Sequence, residues 1–184
     1  MCIRDRCFVL GACTSQTSTV QTTEKGTQWE WQNGTIVVKT PERPAGQKSV
    51  LGLTTPKLEA VRVGFVGLGM RGPGAVERFT YIPGTQVVAL CDYEEARADK
   101  CQELLKKASM PKAAVYSGDK GYEELCKRDD IDLVYIAADW LHHFPVAKCA
   151  LENGKNVAIE VPSAMNLQEC WDLINLSEST RKHC

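Results

Sequence analysis

The chain has 184 residues, 43% of them hydrophobic and 24% charged, with a formal net charge of −1, which is the make-up of an ordinary globular protein with one medium-sized core plus extensions. That balance provides no overall basic field, and no stretch combines clustered Lys or Arg with interleaved aromatics, so nucleic acid is excluded as a partner. The nine cysteines do not read as a disulfide scaffold: their number is odd, and Cys91, Cys101, Cys126, Cys149 and Cys170 fall inside apolar, regular patterns, as small buried hydrophobes do. With no C-x-x-C pair and no zinc-finger spacing, no metal is expected.

At the start, Phe8 to Ala12 is apolar and Leu10-Gly11-Ala12-Cys13 fits a bacterial lipobox, in which Cys13 is lipidated after cleavage. Thr14 to Gln28 is rich in Thr, Ser and Gln and nearly free of large apolar residues, which suits a flexible tether. The apolar run is shorter than the ~7–15 residues of an export-signal core, and Met1 to Arg6 looks foreign to the rest of the chain. Residues 1–12 therefore read as a truncated or artefactual signal segment, and 13–58 as a lipoprotein-type tether and irregular arm. Nothing approaches the ~20 apolar residues of a membrane span. Membrane attachment is expected only through the lipid, in the bacterial cell envelope or periplasm, with the cytoplasm as the alternative. In the arm one short strand is predicted, Thr35 to Lys39, with Trp29 and Trp31 packed on the main domain.

From residue 59 the pattern becomes that of a domain running to 184. Val61 to Val66 is a short apolar run ending at Gly67, as a buried parallel strand reads. Gly72 and Pro73 open a helix whose apolar face is Ala75, Val76 and Phe79, and Pro83-Gly84 ends it. Next come a strand at Gln86 to Cys91 and a helix at Glu94 to Lys107 with Cys101, Leu104, Leu105 and Ala108 facing inward. A strand at Ala113 to Tyr116, a short helix at Tyr122 to Lys127 and a strand at Leu133 to Ala137 follow. A helix near Pro145 to Glu152 stops at Asn153-Gly154, and a fifth strand spans Asn156 to Glu160. The last helix, from Leu167 to about Ser179, turns Leu167, Cys170, Trp171 and Ile174 inward, Trp171 as core. Such alternation predicts a doubly wound, mainly parallel α/β sheet, a Rossmann fold.

Gly67-Leu-Gly69-Met-Arg-Gly72 fits G-x-G-x-x-G at a strand-to-helix turn. The first Gly permits the turn, the second lets backbone approach a pyrophosphate, and the third lets helix pack on strand. Asp92 lies 20 residues past Gly72, at the end of the second strand, where a carboxylate can accept from ribose hydroxyls and repel a 2′-phosphate. The predicted cofactor is NAD rather than NADP, with Arg97 as the residue that weakens this preference. Trp140, His142, His143 and Glu160 follow strands four and five, where ligands of such sheets bind.

The stretch VRVGFVGLGMRGPGAVERFTYIPGTQVVALCDYEEARAD, together with AADWLHH and NVAIEVPSAMNLQECWDLINLSESTRKHC, resembles glycoside hydrolase family 109, NAD-dependent α-N-acetylgalactosaminidases of the Gfo/Idh/MocA oxidoreductase superfamily. The resemblance implies that Met70 and Arg71, Asp92, Trp140, Leu141, His142 and His143, and Glu160 with Val161 line the NAD site. It further implies a glycan substrate with terminal α-N-acetylgalactosamine. Superfamily dehydrogenases have Glu-Lys-Pro where this chain has Glu160-Val161-Pro162. Losing that Lys tells against a standard dehydrogenase. The implied chemistry is transient oxidation at C3, C1–C2 elimination, water addition and re-reduction, an NAD-dependent exception to the two-carboxylate scheme. The substrate domain and proton-transfer residues are then expected beyond Cys184, leaving the cofactor domain incomplete. The alternatives are an NAD-dependent sugar or polyol dehydrogenase of the same superfamily, and a noncatalytic NAD-binding scaffold.

Overall fold

A computed structural model describes residues 10–11, 21–22 and 28–184. The predicted lipidation residue Cys13 lies outside the described residues. The first four strands, β1 (Leu10–Gly11), β2 (Gln21–Thr22), β3 (Gln28–Gln32) and β4 (Thr35–Val38), form one antiparallel sheet in the order β1-β4-β3-β2. This corrects the irregular arm, in which only the second strand of the hairpin had been expected. The missed signal is Asn33-Gly34, whose two positive φ values, 50° and 77°, close the two-residue turn that Asn-Gly favours. Trp29 and Trp31 meet each other edge-on, with centroids 6.5 Å apart.

The remaining elements are β5 (Val61–Val66), α1 (Gly72–Thr80), β6 (Thr85–Asp92), α2 (Glu95–Lys107), β7 (Ala114–Ser117), α3 (Gly121–Cys126), β8 (Leu133–Ile136), α4 (Trp140–Glu152), β9 (Asn156–Ile159) and α5 (Leu167–Thr180). Their five strands pair in the order β7-β6-β5-β8-β9, every pair parallel, which is the predicted Rossmann sheet. Successive side chains of a strand point to opposite faces, and the core divides accordingly. Val63 and Phe65 of β5 pack with Ala75, Val76, Cys101 and Leu105 of α1 and α2 on one face. Val66, Val134 and Ile136 pack with Leu125, Val146, Ala150 and Leu173 of α3, α4 and α5 on the other. Phe65, Phe79 and Tyr135 stack on the first face with centroids 5.2 to 5.6 Å apart, each such pair contributing about 0.5–1.5 kcal/mol beyond area burial.

Three details differ from expectation. Ala108, predicted inward, is the exposed C-cap of α2, and Leu104 is only half-buried. Leu173, not foreseen, is buried on α5 as Trp171 is. Helix α4 begins one turn before Pro145, because Asp139 caps it: its carboxylate accepts from the Leu141 N–H at 3.0 Å. Pro145 therefore lies inside the helix, where it leaves the Leu141 carbonyl without its usual donor.

The segment between β4 and β5 lies along α5. Arg43 donates to both Glu178 oxygens at 3.1 and 3.3 Å, and Gln47 donates to Glu178 at 2.9 Å. Arg181 reaches back to the carbonyls of Lys48 and Ser49. Glu178 is 1% exposed, so these bonds satisfy a carboxylate that would otherwise be costly to bury.

Candidate functional site

At the carboxyl edge of the sheet, where the chain leaves the paired strands β5 and β8 for helices on opposite faces, a cleft of about 1220 Å³ opens. That exceeds the ~300–1,000 Å³ common for small-molecule pockets and suits a ligand as long as a dinucleotide. Among the predicted residues, Gly67, Gly69, Met70, Arg71, Asp92, Trp140, Leu141, His142, His143, Glu160 and Val161 border it. Gly72 does not, and its role is packing: a Cβ there would sit 2.1 Å from the Gly67 carbonyl oxygen.

The glycine loop is shaped by missing side chains. Gly67 has φ +90°, and a Cβ on it would lie 2.3 Å from the Ala138 nitrogen, so no other residue fits between β5 and the loop after β8. Gly69 looks onto open space, with only the Arg97 guanidinium within 4 Å of a would-be Cβ. Helix α1 carries no side-chain cap and no acidic residue in its first turn, which leaves its first N–H groups available to an anion.

Asp92 is buried and already engaged. Its Oδ2 accepts from the Leu68 N–H at 2.6 Å, while Oδ1 accepts from the Glu94 N–H at 3.0 Å and from Arg97 at 3.3 Å. It thus ties the glycine loop to the start of α2. A carboxylate offers about four lone-pair directions, so with three donors in place one direction is left to accept a ribose hydroxyl. Arg97 and Tyr93 border the same end of the cleft.

At the other end, His143 is 1% exposed, with Nδ1 2.7 Å from the Pro162 carbonyl and Nε2 3.0 Å from the Ala138 carbonyl. It straps the loop after β8 to the turn after β9, and leaves the cleft no spare nitrogen. His142 instead meets Asp139, Nδ1 to Oδ2 at 2.6 Å. Burial raises the Asp139 carboxyl, but His142 and the backbone N–H groups of Leu141 and His142 outweigh it and hold the group below its ordinary value. Glu160 accepts from the Tyr135 hydroxyl at 2.7 Å. The Tyr135 phenol is pushed up, first by burial and then by Glu160, with Arg78 opposing. Val161 occupies the rim, 83% exposed, as does Met70 at 94%.

Sequence reasoning missed Asp139 and Tyr135. An Asp immediately before Trp140 was a helix-start signal; Tyr135 in an apolar strand carried none. Cys91 also borders the cleft, and burial pushes its thiol up to about 12, which keeps it inert. An NAD-type dinucleotide fits this donor set: an open glycine cradle, an uncapped helix start and a carboxylate at the end of β6.

Residues 61–184 match the family described as GFO_IDH_MocA, oxidoreductase family, NAD-binding Rossmann fold. The fold and cleft define a nicotinamide-dinucleotide-binding protein, and the chain belongs to this oxidoreductase family, with NAD as its cofactor. It is 82% identical over 178 residues to glycosyl hydrolase family 109 protein 4 of Phocaeicola vulgatus, covering 97% of this chain and 34% of that one. To glycosyl hydrolase family 109 protein 1 of Bacteroides thetaiotaomicron it is 58% identical over 176 residues, covering 95% and 36%. The chain thus spans about a third of the length of these curated relatives. Among solved structures it resembles a Synechocystis biliverdin reductase in complex with biliverdin and NADP+ (28% identity, TM-score 0.57, covering 67% and 36%). It also resembles myo-inositol dehydrogenase from Lactobacillus casei in complex with NAD(H) and myo-inositol (25% identity, TM-score 0.57, covering 65% and 34%).

Proposed function

We propose that the protein carrying this chain is an NAD-dependent glycosidase releasing terminal α-N-acetylgalactosamine from glycans, and that the cleft is its cofactor site. The observation that carries this reading is the 82% identity to a family 109 glycosyl hydrolase. Val161 supports it, standing where a dehydrogenase of this superfamily would have Lys. When bound, NAD would supply reversible hydride acceptance at C3 of the sugar, which eases C1–C2 elimination and water addition with no net redox.

The chain's own residues do the binding. Backbone at Gly67 and Gly69, with the start of α1, takes the pyrophosphate. Asp92 takes the adenosine ribose and disfavours a 2′-phosphate, making NAD preferred over NADP. Met70 and Arg71 border one side of the ligand, and Trp140, Leu141, His142 and His143 with Glu160 and Val161 the other.

The test is to incubate the full-length protein with NAD and an aryl α-N-acetylgalactosaminide. Sugar release without accumulating NADH is expected. Stoichiometric NADH from a free sugar or polyol, with no glycoside cleaved, would favour a dehydrogenase instead, the reading to which the likeness to myo-inositol dehydrogenase points. We also propose attachment to the bacterial envelope through a lipid on Cys13. Metabolic labelling with an alkynyl fatty acid should mark the protein and fail in Cys13→Ser.

A further inference from the structure

Tyr135 does not border the cleft, yet it holds a residue that does. Its ring is fixed on β8 by Phe65 and Phe79, with centroids 5.2 and 5.6 Å away. Its parallel partner on β9 is Ala158, so Glu160, two residues further, rises from the same face of the sheet. The Tyr135 hydroxyl donates to Glu160 Oε1 at 2.7 Å, and the Glu160 N–H donates to the Ile136 carbonyl at 3.0 Å. Backbone and side chain of Glu160 are therefore both tethered to β8. Among the described residues Glu160 Oε2 has no hydrogen-bond partner.

A glutamate at a cleft rim ordinarily samples many rotamers and loses that freedom on binding. Fixing it in advance shifts the loss from binding to folding. We propose that Tyr135 is a positioning residue, whose hydroxyl locks the Glu160 carboxylate in one rotamer with Oε2 presented to a hydroxyl or amide hydrogen of the dinucleotide. This rests on reading the cleft as the NAD site. Because burial and the neighbouring carboxylate both push the phenol up, Tyr135 stays protonated through the neutral range. The bond runs in one direction only, phenol to carboxylate.

Tyr135→Phe keeps the ring and removes the donor, so in the full-length protein its melting temperature should stay within a few degrees of wild type. Its dissociation constant for NAD, read by fluorescence titration, should rise roughly three- to tenfold, the range for one lost hydrogen bond. In a Glu160→Ala background the same substitution should add nothing, since Tyr135 acts only through Glu160. Unchanged affinity in Tyr135→Phe, or losses that add, would overturn the proposal. A second readout needs no cofactor: Glu160→Gln should move Tyr135 ionisation, followed by ultraviolet difference absorbance against Tyr135→Phe, to lower pH. If that shift is absent, the contact itself is refuted. If the shift is present but the wild type binds no NAD, the cofactor reading of the cleft fails, and the ligand assigned to Glu160 fails with it.

Discussion

The two ends of the cleft are held by opposite means. At the glycine-loop end the backbone fits because side chains are missing: Gly67 lies against Ala138 and Gly72 against Gly67, each with less room than one carbon needs. At the far end the fit comes from side chains that are present and closely placed, the His143 ring between two carbonyls and Tyr135 bonded to Glu160. One end is therefore broken by adding an atom and the other by removing a donor. Asp92 has a little of both, a side chain whose bond to the Leu68 N–H fixes the loop that the glycines make possible.

The largest effect should come from adding one methyl group. Gly67→Ala places a carbon 2.3 Å from the Ala138 nitrogen at a φ of +90°, and unfolding in urea should show a loss of about 3 kcal/mol or more, with NAD binding abolished. A Gly67→Ala protein as stable as wild type would break the comparison outright. Next, His143→Ala removes the ring that lies between the Pro162 and Ala138 carbonyls, leaving a part-buried carbonyl without its donor, and should cost about 1–3 kcal/mol. Its NAD affinity should fall while Asp92, at the other end, keeps its bonds; hydrogen exchange at the Leu68 amide reads that separation. Arg97→Ala removes a half-exposed pairing with Asp92 and should cost less than about 1 kcal/mol. NADP binding should weaken more than NAD binding, and equal losses would mean that Arg97 does not face the 2′ position.

The smallest effect on the cleft should come from Asp132, at the opposite edge of the sheet. Hydrogen bonding by Arg62, against opposing burial, holds this carboxyl below its ordinary value. With the folded value below the unfolded one, its contribution is complete above the unfolded value of ~3.9 and is lost as pH falls through the depressed folded value. Asp132→Asn should flatten the acid limb of a stability profile and leave NAD affinity at neutral pH unchanged. A change in affinity would show that the two edges are coupled through the sheet.

Sequence alone shows the glycine end better because its demands are local. G-x-G-x-x-G between an apolar run and a helix, with an acid at the end of the next strand, states a backbone requirement in consecutive letters. The strap and the tyrosine bond depend on how β8 and β9 come into register, which no periodicity encodes, and Tyr135 among Val134 and Ile136 reads as core. The position of His143 after the fourth strand and the family resemblance both point to this site, but neither carries the placing of its nitrogens against Pro162 and Ala138. Elsewhere a propensity was overlooked, Asn33-Gly34 as a hairpin turn, or a proline was given too much weight, Pro145 as the start of α4. The parallel sheet itself was legible, since its buried strands read as short, nearly continuous apolar runs.

The grip of Arg43 and Gln47 on Glu178 bears on how the cofactor unit is excised for biophysical work. A gene trimmed to begin at the first parallel strand would keep the whole five-stranded sheet, yet strip two partners from a buried carboxylate on its last helix. A start ahead of Arg43 retains them, and the stability gap between those two lengths would measure how much of the Rossmann unit is written outside the strands and helices that define it.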